Sequence, residues 1–229
     1  AIIRLTAKKI IFVSSAVQSS EKFSEKKDCV IYNALSDSFV NNALNQNNRK
    51  AKDCFNVLML SSLKAYKGVQ EFVEIAKLLE TNKHISFTLI INATHKDVNK
   101  YFKNKSLTDN IEIFSSKSDV IPFYNKASLV LNLSHVDAWI ETFGLTILEA
   151  MAFGIPVIVP PVGGPSEIVT DGVEGYLMNS KNTNSIAKKI QVLSKDKAKW
   201  TELSKNALLR SKYFNQATFE KKIIKVLHD

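Results

Sequence analysis

The strongest constraint on this chain is an alternation that begins near residue 55. Apolar runs at residues 55–60, 87–91, 111–114, 129–133, 156–159 and 175–177 read as short strands. Between them Val69, Phe72, Val73, Ala76 and Leu79 recur at helical spacing, and residues 95–104, 119–127 and 143–153 read as further helices. Residues 183–194, 196–211 and 215–227 continue as helices. A strand that is apolar throughout has no polar face to show to water. Such strands, each followed by a helix, therefore predict a parallel sheet covered on both faces. Ligands of such sheets sit beyond the carboxyl ends of the strands, near the point where strand order reverses.

Upstream the pattern is less regular. Residues 9–14 read as a strand, residues 14–26 as a polar helix or loop, and Val30-Ile31-Tyr32 as an extended piece. The run Asn41-Asn42-Ala43-Leu44-Asn45-Gln46-Asn47-Asn48 is polar and turn-prone, and reads as a loop or linker with a boundary near residue 52. With 229 residues, of which 45% are apolar, the chain has room for one ordinary domain and an extra piece.

The formal net charge is +9. A nucleic-acid reader is not expected, because the arginines are only Arg4, Arg49 and Arg210 and no aromatic platform accompanies them. The lysines fit attraction to an anionic membrane surface or a phosphorylated substrate, or plain lysine richness. Cys29 and Cys54 suggest a reducing compartment, and they make no metal-ligand spacing with the histidines. No apolar run is long enough to span a bilayer, and the apolar piece at residues 10–13 is read as a strand rather than a signal segment, so a cytoplasmic protein is expected.

Chemistry concentrates between residues 141 and 177. Six of the seven glycines and four of the five prolines fall there, which marks backbone that must approach something closely. The dinucleotide fingerprint and the Walker loop are both missing. Phe143-Gly144-Leu145 stands where a helix begins. Its unpartnered amides favour an anion, and the alternative is an ordinary helix start capped by Thr142. Glu149 lies on a helix that is otherwise apolar, in line with Thr142 and Thr146. A buried carboxylate needs a partner, so either a ligand supplies hydroxyl donors, as from a ribose, or a neighbouring lysine pairs with it. Glu141, just ahead of the helix, points into the mouth of a crevice. A metal is not expected there, because no further acidic ligand is close in sequence, and direct contact with a sugar is the simpler use.

Glu141 to Glu149 resembles the Glu-x7-Glu motif of retaining family-4 glycosyltransferases, with its internal Phe-Gly-Leu and the continuation Glu-Ala-Met-Ala-x-Gly-x-Pro-Val. Val162-Gly163-Gly164-Pro165-Ser166-Glu167-Ile168-Val169 and the run from Asp171 to Leu177 match as well, and weaker similarity reaches back through Lys67-Gly68 to residues 30–33. The resemblance implies a GT-B architecture of two Rossmann-like domains, this chain being the C-terminal, donor-binding half. It implies that Glu149 holds the ribose and that Glu141 meets the transferred sugar as the catalytic residue. Phe143, Gly144, Leu145 and Lys67 would meet the diphosphate, Gly163 and Gly164 would pass close to sugar and phosphate, and Phe114 would lie near the base. It implies no cofactor and no divalent metal. Residues 1–52 become a remnant of the N-terminal domain with the interdomain crossover, residues 53–212 the nucleotide-sugar-binding domain, and residues 213–229 a helix that packs back on the missing domain. The surface left by that domain is a candidate dimer contact.

The chain departs from the pattern at three places. Ser61-Ser62 replaces a Gly-Arg, so Ser62 takes the arginine's place in the donor-binding set, with Lys64 the candidate substitute for its charge. Asn92-Ala93-Thr94 replaces a Gly-x-Gly turn, and the loop from Ser134 to Glu141 is longer than the common version. The implied reaction is transfer from a UDP- or GDP-linked sugar to a glycan or lipid-linked acceptor. Its implied setting is polysaccharide or lipopolysaccharide assembly, with peripheral association at the inner face of the membrane. A non-catalytic nucleotide-sugar-binding module and a sugar-nucleotide epimerase are the alternatives.

Overall fold

A computed structural model of the chain describes residues 6–21, 27–44 and 54–228. A small parallel pair, β1 (Ile10–Phe12) and β2 (Asp28–Val30), flanks helix α1 (Ser15–Ser20), and helix α2 (Asp37–Leu44) follows. The main sheet holds β3 (Phe55–Ser61), β4 (Ile85–Ile91), β5 (Ile111–Phe114), β6 (Leu129–Leu131), β7 (Val157–Val159) and β8 (Gly175–Leu177). It is parallel throughout, in the order β5-β4-β3-β6-β7-β8. Helices α3 (Val69–Leu78), α4 (His95–Phe102), α5 (Ile121–Lys126), α6 (Leu145–Ala152) and α7 (Pro165–Ile168) connect the strands. Helices α8 (Thr183–Lys195), α9 (Lys197–Ser211) and α10 (Gln216–His228) come after β8. The chain runs outward from β3 to β5, returns to β6, and runs outward the other way. Strand order therefore reverses between β3 and β6, the Rossmann arrangement.

Alternation along the strands divides the core in two. Val57 and Met59 of β3 pack with Phe72 and Ile75 of α3 and with Ile186 and Ile190 of α8. Leu58, between them, packs on the opposite side with Ile147, Leu148 and Met151 of α6. Each such side chain is withdrawn from water, which stabilises the fold by about 1.5–3 kcal/mol apiece. Helix α9 serves both layers, with Trp200 and Leu203 in the first and Ala207 in the second. It is fixed there by two buried hydrogen bonds: Trp200 Nε1 donates to the Ser128 carbonyl at 2.7 Å, and the Ser204 hydroxyl donates to the Gly154 carbonyl at 2.6 Å.

Upstream, the structure differs from the sequence expectations. Of the stretch read as polar helix or loop, Ser15–Ser20 form α1 and residues 22–26 lie outside the described residues; the extended piece expected at 30–32 lies earlier, as β2, and shares only Val30 with it. Asn41 to Leu44, expected as loop, form the last turn of α2. Phe39, Val40 and Ala43 explain this: they pack on the α6 side of the core, and that burial outweighs the helix-averse asparagines. Residues 45–48 and the boundary near residue 52 lie outside the described residues. Tyr32 and Phe214 close on Phe143 as an aromatic trio with ring centroids 5.8–6.1 Å apart, tying the upstream segment and the end of α9 to the start of α6. Leu35 also bridges to Asn215.

Candidate functional site

A cavity of about 630 Å³ opens at the carboxyl ends of β3 and β6, where strand order reverses. Ser61 and Ser62 reach it as they leave β3, Asn132 to Ser134 as they leave β6, and Lys117 from beyond β5. Its last wall is the segment from Glu141 to Thr146 that leads into α6, with Glu149 one turn further on. Gly144 starts the helix in the left-handed region, at φ 98°, and no side chain caps it. The alternative of a Thr142 cap is therefore not realised, and Gly144 takes the cap position by its backbone geometry. The first amides of α6 have no intrahelical acceptor, and Gly144, Leu145 and Thr146 all line the cavity, an arrangement that receives an anion.

Glu149 has a partner that the sequence reading did not find. The Tyr124 hydroxyl of α5 donates to Glu149 Oε2 at 2.6 Å. No lysine pairs with Glu149 among the described residues. Burial pushes the Glu149 carboxyl above its ordinary value, and the Tyr124 hydrogen bond offsets only part of that. Tyr124 is itself fully buried. Burial, then the Glu149 charge, hold its phenol well above the ordinary range, so it remains a donor.

Across the cavity Lys67 Nζ pairs with Glu141 Oε2 at 2.7 Å, and the Ser134 hydroxyl reaches the same oxygen at 3.4 Å. Lys67 ends a short 3-10 turn, Ala65–Lys67, and Gly68 follows with φ 73°. A Cβ on Gly68 would lie 2.3 Å from the Leu133 carbonyl oxygen, so only glycine lets this turn sit against the β6 exit. The long loop from Ser134 to Glu141 is anchored from behind. Glu71 of α3 takes His135 Nε2 at 2.9 Å and Lys181 Nζ at 2.5 Å. Burial pushes the Glu71 carboxyl up, but the hydrogen bonds from Lys181 and His135 more than offset it and hold it below its ordinary value.

Of the residues chosen from the sequence, Glu141, Glu149, Lys67, Ser62, Phe143, Gly144 and Leu145 meet on this one cavity. Phe143 contributes backbone, since its ring belongs to the aromatic trio. Gly163 and Gly164 do not line the cavity but brace its wall from the other side: Gly164 N–H donates to the Glu141 carbonyl at 2.9 Å. Phe114 is also off the wall. Its ring packs on Phe123 with the Lys117 ammonium 5.2 Å away, and Ser116, Lys117 and Val120 face the cavity in its place. Lys64 does not line the cavity either, which leaves Lys67 and Lys117 as its basic residues. Among the described residues no group of three His, Cys, Asp or Glu side chains is arranged to hold a metal, and no helix is long and apolar enough to cross a membrane. Tyr124 and Lys117 are the site residues that sequence reasoning missed. Tyr124 is the buried residue of a helix turn whose other side chains are partly or fully exposed, so no apolar pattern singled it out.

The sequence profile of Glycosyl transferases group 1 matches residues 40–210. An uncharacterised glycosyltransferase of Methanocaldococcus jannaschii is 29% identical over 211 residues, covering 90% of this chain and 55% of its own length. A sucrose synthase of Denitrovibrio acetiphilus is 38% identical over 92 residues, covering 38% of this chain and 12% of its own. The chain thus spans about half or less of these relatives. Among solved structures, Anabaena HepE in complex with UDP and glucose superposes with a TM-score of 0.81 at 22% identity, over 100% of this chain and 65% of that one. The sucrose-phosphate synthase of Thermosynechococcus elongatus superposes with a TM-score of 0.79 at 22% identity, over 99% of this chain and 59% of that one. The fold is the Rossmann-like half of a GT-B architecture. The profile match covers all six strands of the main sheet and every residue of the cavity except Asn33, and the chain belongs to the Glycosyl transferases group 1 family.

Proposed function

We propose that this chain is the donor-binding part of a retaining glycosyltransferase, which moves a sugar from a UDP- or GDP-linked donor to a glycan or lipid-linked acceptor. The observation that carries the reading is Glu149: one oxygen is held by a tyrosine hydroxyl rather than neutralised by a lysine, and the residue lines an open cavity at the strand-order reversal. A carboxylate there can accept both hydroxyls of a ribose. The diphosphate then falls toward the amides of Leu145 and Thr146 and toward Lys67, which stabilise the departing charge without reorganising. Glu141 would meet the transferred sugar, with Lys67 and Ser134 fixing its carboxylate. Ser62 and Lys117 complete the donor wall. The UDP complex of Anabaena HepE, a protein of the same fold, supports a uridine nucleotide as the first donor to test. Work at the inner membrane face, and pairing of two copies through the exposed side of α10 (Ile224, Leu227), belong to the same proposal.

Calorimetry with UDP and GDP on the chain and on Glu149→Ala is the test. Loss of charge-assisted hydrogen bonds worth about 1.5–3 kcal/mol should weaken nucleotide roughly ten- to a hundredfold. Equal affinity in the two proteins would remove the assignment.

A further inference from the structure

We propose that Tyr124 is a positioning residue of the donor site, holding Oε2 of Glu149 so that Oε1 is presented to the ribose hydroxyls. The inference rests on the reading of Glu149 as the ribose ligand and adds a group that does not itself touch the nucleotide. Three observations carry it. The Tyr124 ring is immobilised, stacked on Phe153 at 5.4 Å and 19° and met edge-on by Phe39 of α2 at 6.3 Å and 88°. Its hydroxyl has Glu149 Oε2 at 2.6 Å as its close acceptor, with the Thr146 carbonyl at the limit of contact, 3.5 Å. Oε1 of the same carboxylate accepts from no described residue and is not sealed from solvent, although the residue lines the cavity. One oxygen is committed to the protein and the other is left for a ligand.

The choice of donor has a chemical consequence. A lysine at this position would cancel the carboxylate charge and compete for its lone pairs. A phenol leaves the full negative charge, takes one lone pair, and fixes the terminal torsion that an unheld carboxylate explores freely. A fixed acceptor spares the ordering cost when the ribose arrives. The other ionisable side chains on the cavity wall, Lys67, Glu141 and Lys117, make no hydrogen bond or ion pair with Glu149.

The experiment compares UDP with 2′-deoxy-UDP, and GDP with 2′-deoxy-GDP, by calorimetry on the 229-residue chain, on Tyr124→Phe and on Glu149→Ala, across pH. The wild-type chain should prefer the ribonucleotide by about tenfold, and Tyr124→Phe should reduce that preference to about threefold or less. Tyr124 lowers the Glu149 pKa against the effect of burial, so removing the hydroxyl should move the acid-side loss of ribonucleotide affinity to higher pH. A residue that merely packs would weaken ribo and deoxy forms together and leave the midpoint in place, and that result overturns the proposal. Should Tyr124→Phe not fold, 3-fluorotyrosine at position 124 keeps the shape and strengthens the donor. It should move the midpoint to lower pH, and an unmoved midpoint overturns the proposal equally. No ribose preference in the wild type, with Glu149→Ala unchanged, would instead sink the ribose reading itself.

Discussion

Glu149 costs the folded chain stability, and the cost depends on pH. Burial raises its carboxyl above the ordinary value, and the Tyr124 hydrogen bond recovers part of this. In the window between the ordinary carboxylate value and the raised one, the folded chain keeps a proton that the unfolded chain has released. Stability from this group therefore falls as pH rises through that window. Glu149→Gln, which keeps the size and an acceptor for Tyr124, should be more stable than wild type above the window. The two should converge below the ordinary carboxylate range. Urea unfolding across pH checks this, and a wild type more stable than the variant at pH 8 would mean that the charge is compensated inside the fold. An acid placed at a cost beside a cavity is a candidate ligand group. At this scale half of the arrangement is legible in sequence. An acid on an apolar helix is visible, but its partner lies 25 positions upstream on another helix, and no spacing connects them. The sequence offered ligand or lysine; a tyrosine needs no charge and left no charge pattern to find.

The elements around the cavity are held by close backbone approach, and Gly164 tests that. Its φ of −55° suits any residue, so conformation does not require glycine there. Space does: a Cβ would lie 2.4 Å from Phe143 Cα and 2.4 Å from the Thr142 carbonyl oxygen. Backbone at that distance cannot yield without moving the segment that carries Glu141 and starts α6. Gly164→Ala should cost about 1–3 kcal/mol, read by thermal or urea unfolding, and should weaken nucleotide binding although position 164 does not touch the cavity. A variant with wild-type stability and affinity would show that the loop is free to move. Just beyond, Glu167 accepts from the Ser15 and Ala16 amides at 3.0 and 2.7 Å and from the Tyr32 hydroxyl at 2.8 Å, clamping α1 and the segment after β2 to this same turn. Burial pushes the Glu167 carboxyl up, and those three donors hold it below its ordinary value nonetheless. Glycine density between residues 144 and 175 pointed to close approach correctly, but not to which glycines face ligand and which face protein. That division depends on which side of the 141–144 segment each lands, a property of tertiary packing. The same limit explains α2, where a run of asparagines concealed the apolar spacing of Phe39, Val40 and Ala43.

For the whole molecule, the sheet was legible because its strands are buried on both faces and so read as continuous apolar runs in sequence, each separated by a helical period. Charge was the poorer guide. The net charge of +9 does not gather at the site, where Lys67 and Lys117 stand against Glu141 and Glu149. Donor binding should therefore rest on local amides and hydrogen bonds rather than on long-range attraction. In the proposed reading the cavity serves the nucleotide, its diphosphate and, through Glu141, the sugar. The chain covers 65% of the Anabaena HepE structure and 55% of the archaeal relative. Transfer requires donor and acceptor held in near-attack geometry, a requirement worth about 7–11 kcal/mol of the barrier when fully met. The 229-residue chain should consequently bind nucleotide and nucleotide-sugar in calorimetry while releasing UDP from UDP-sugar, with added glycan acceptors, at least about a thousandfold more slowly than a longer version carrying the remaining span, a factor equivalent to about 4 kcal/mol of the orientation term. Equal turnover by the two proteins would mean that residues 6–228 already contain an acceptor site, to be sought on the exposed rim formed by Trp139, Ile140 and Leu145 beside Glu141.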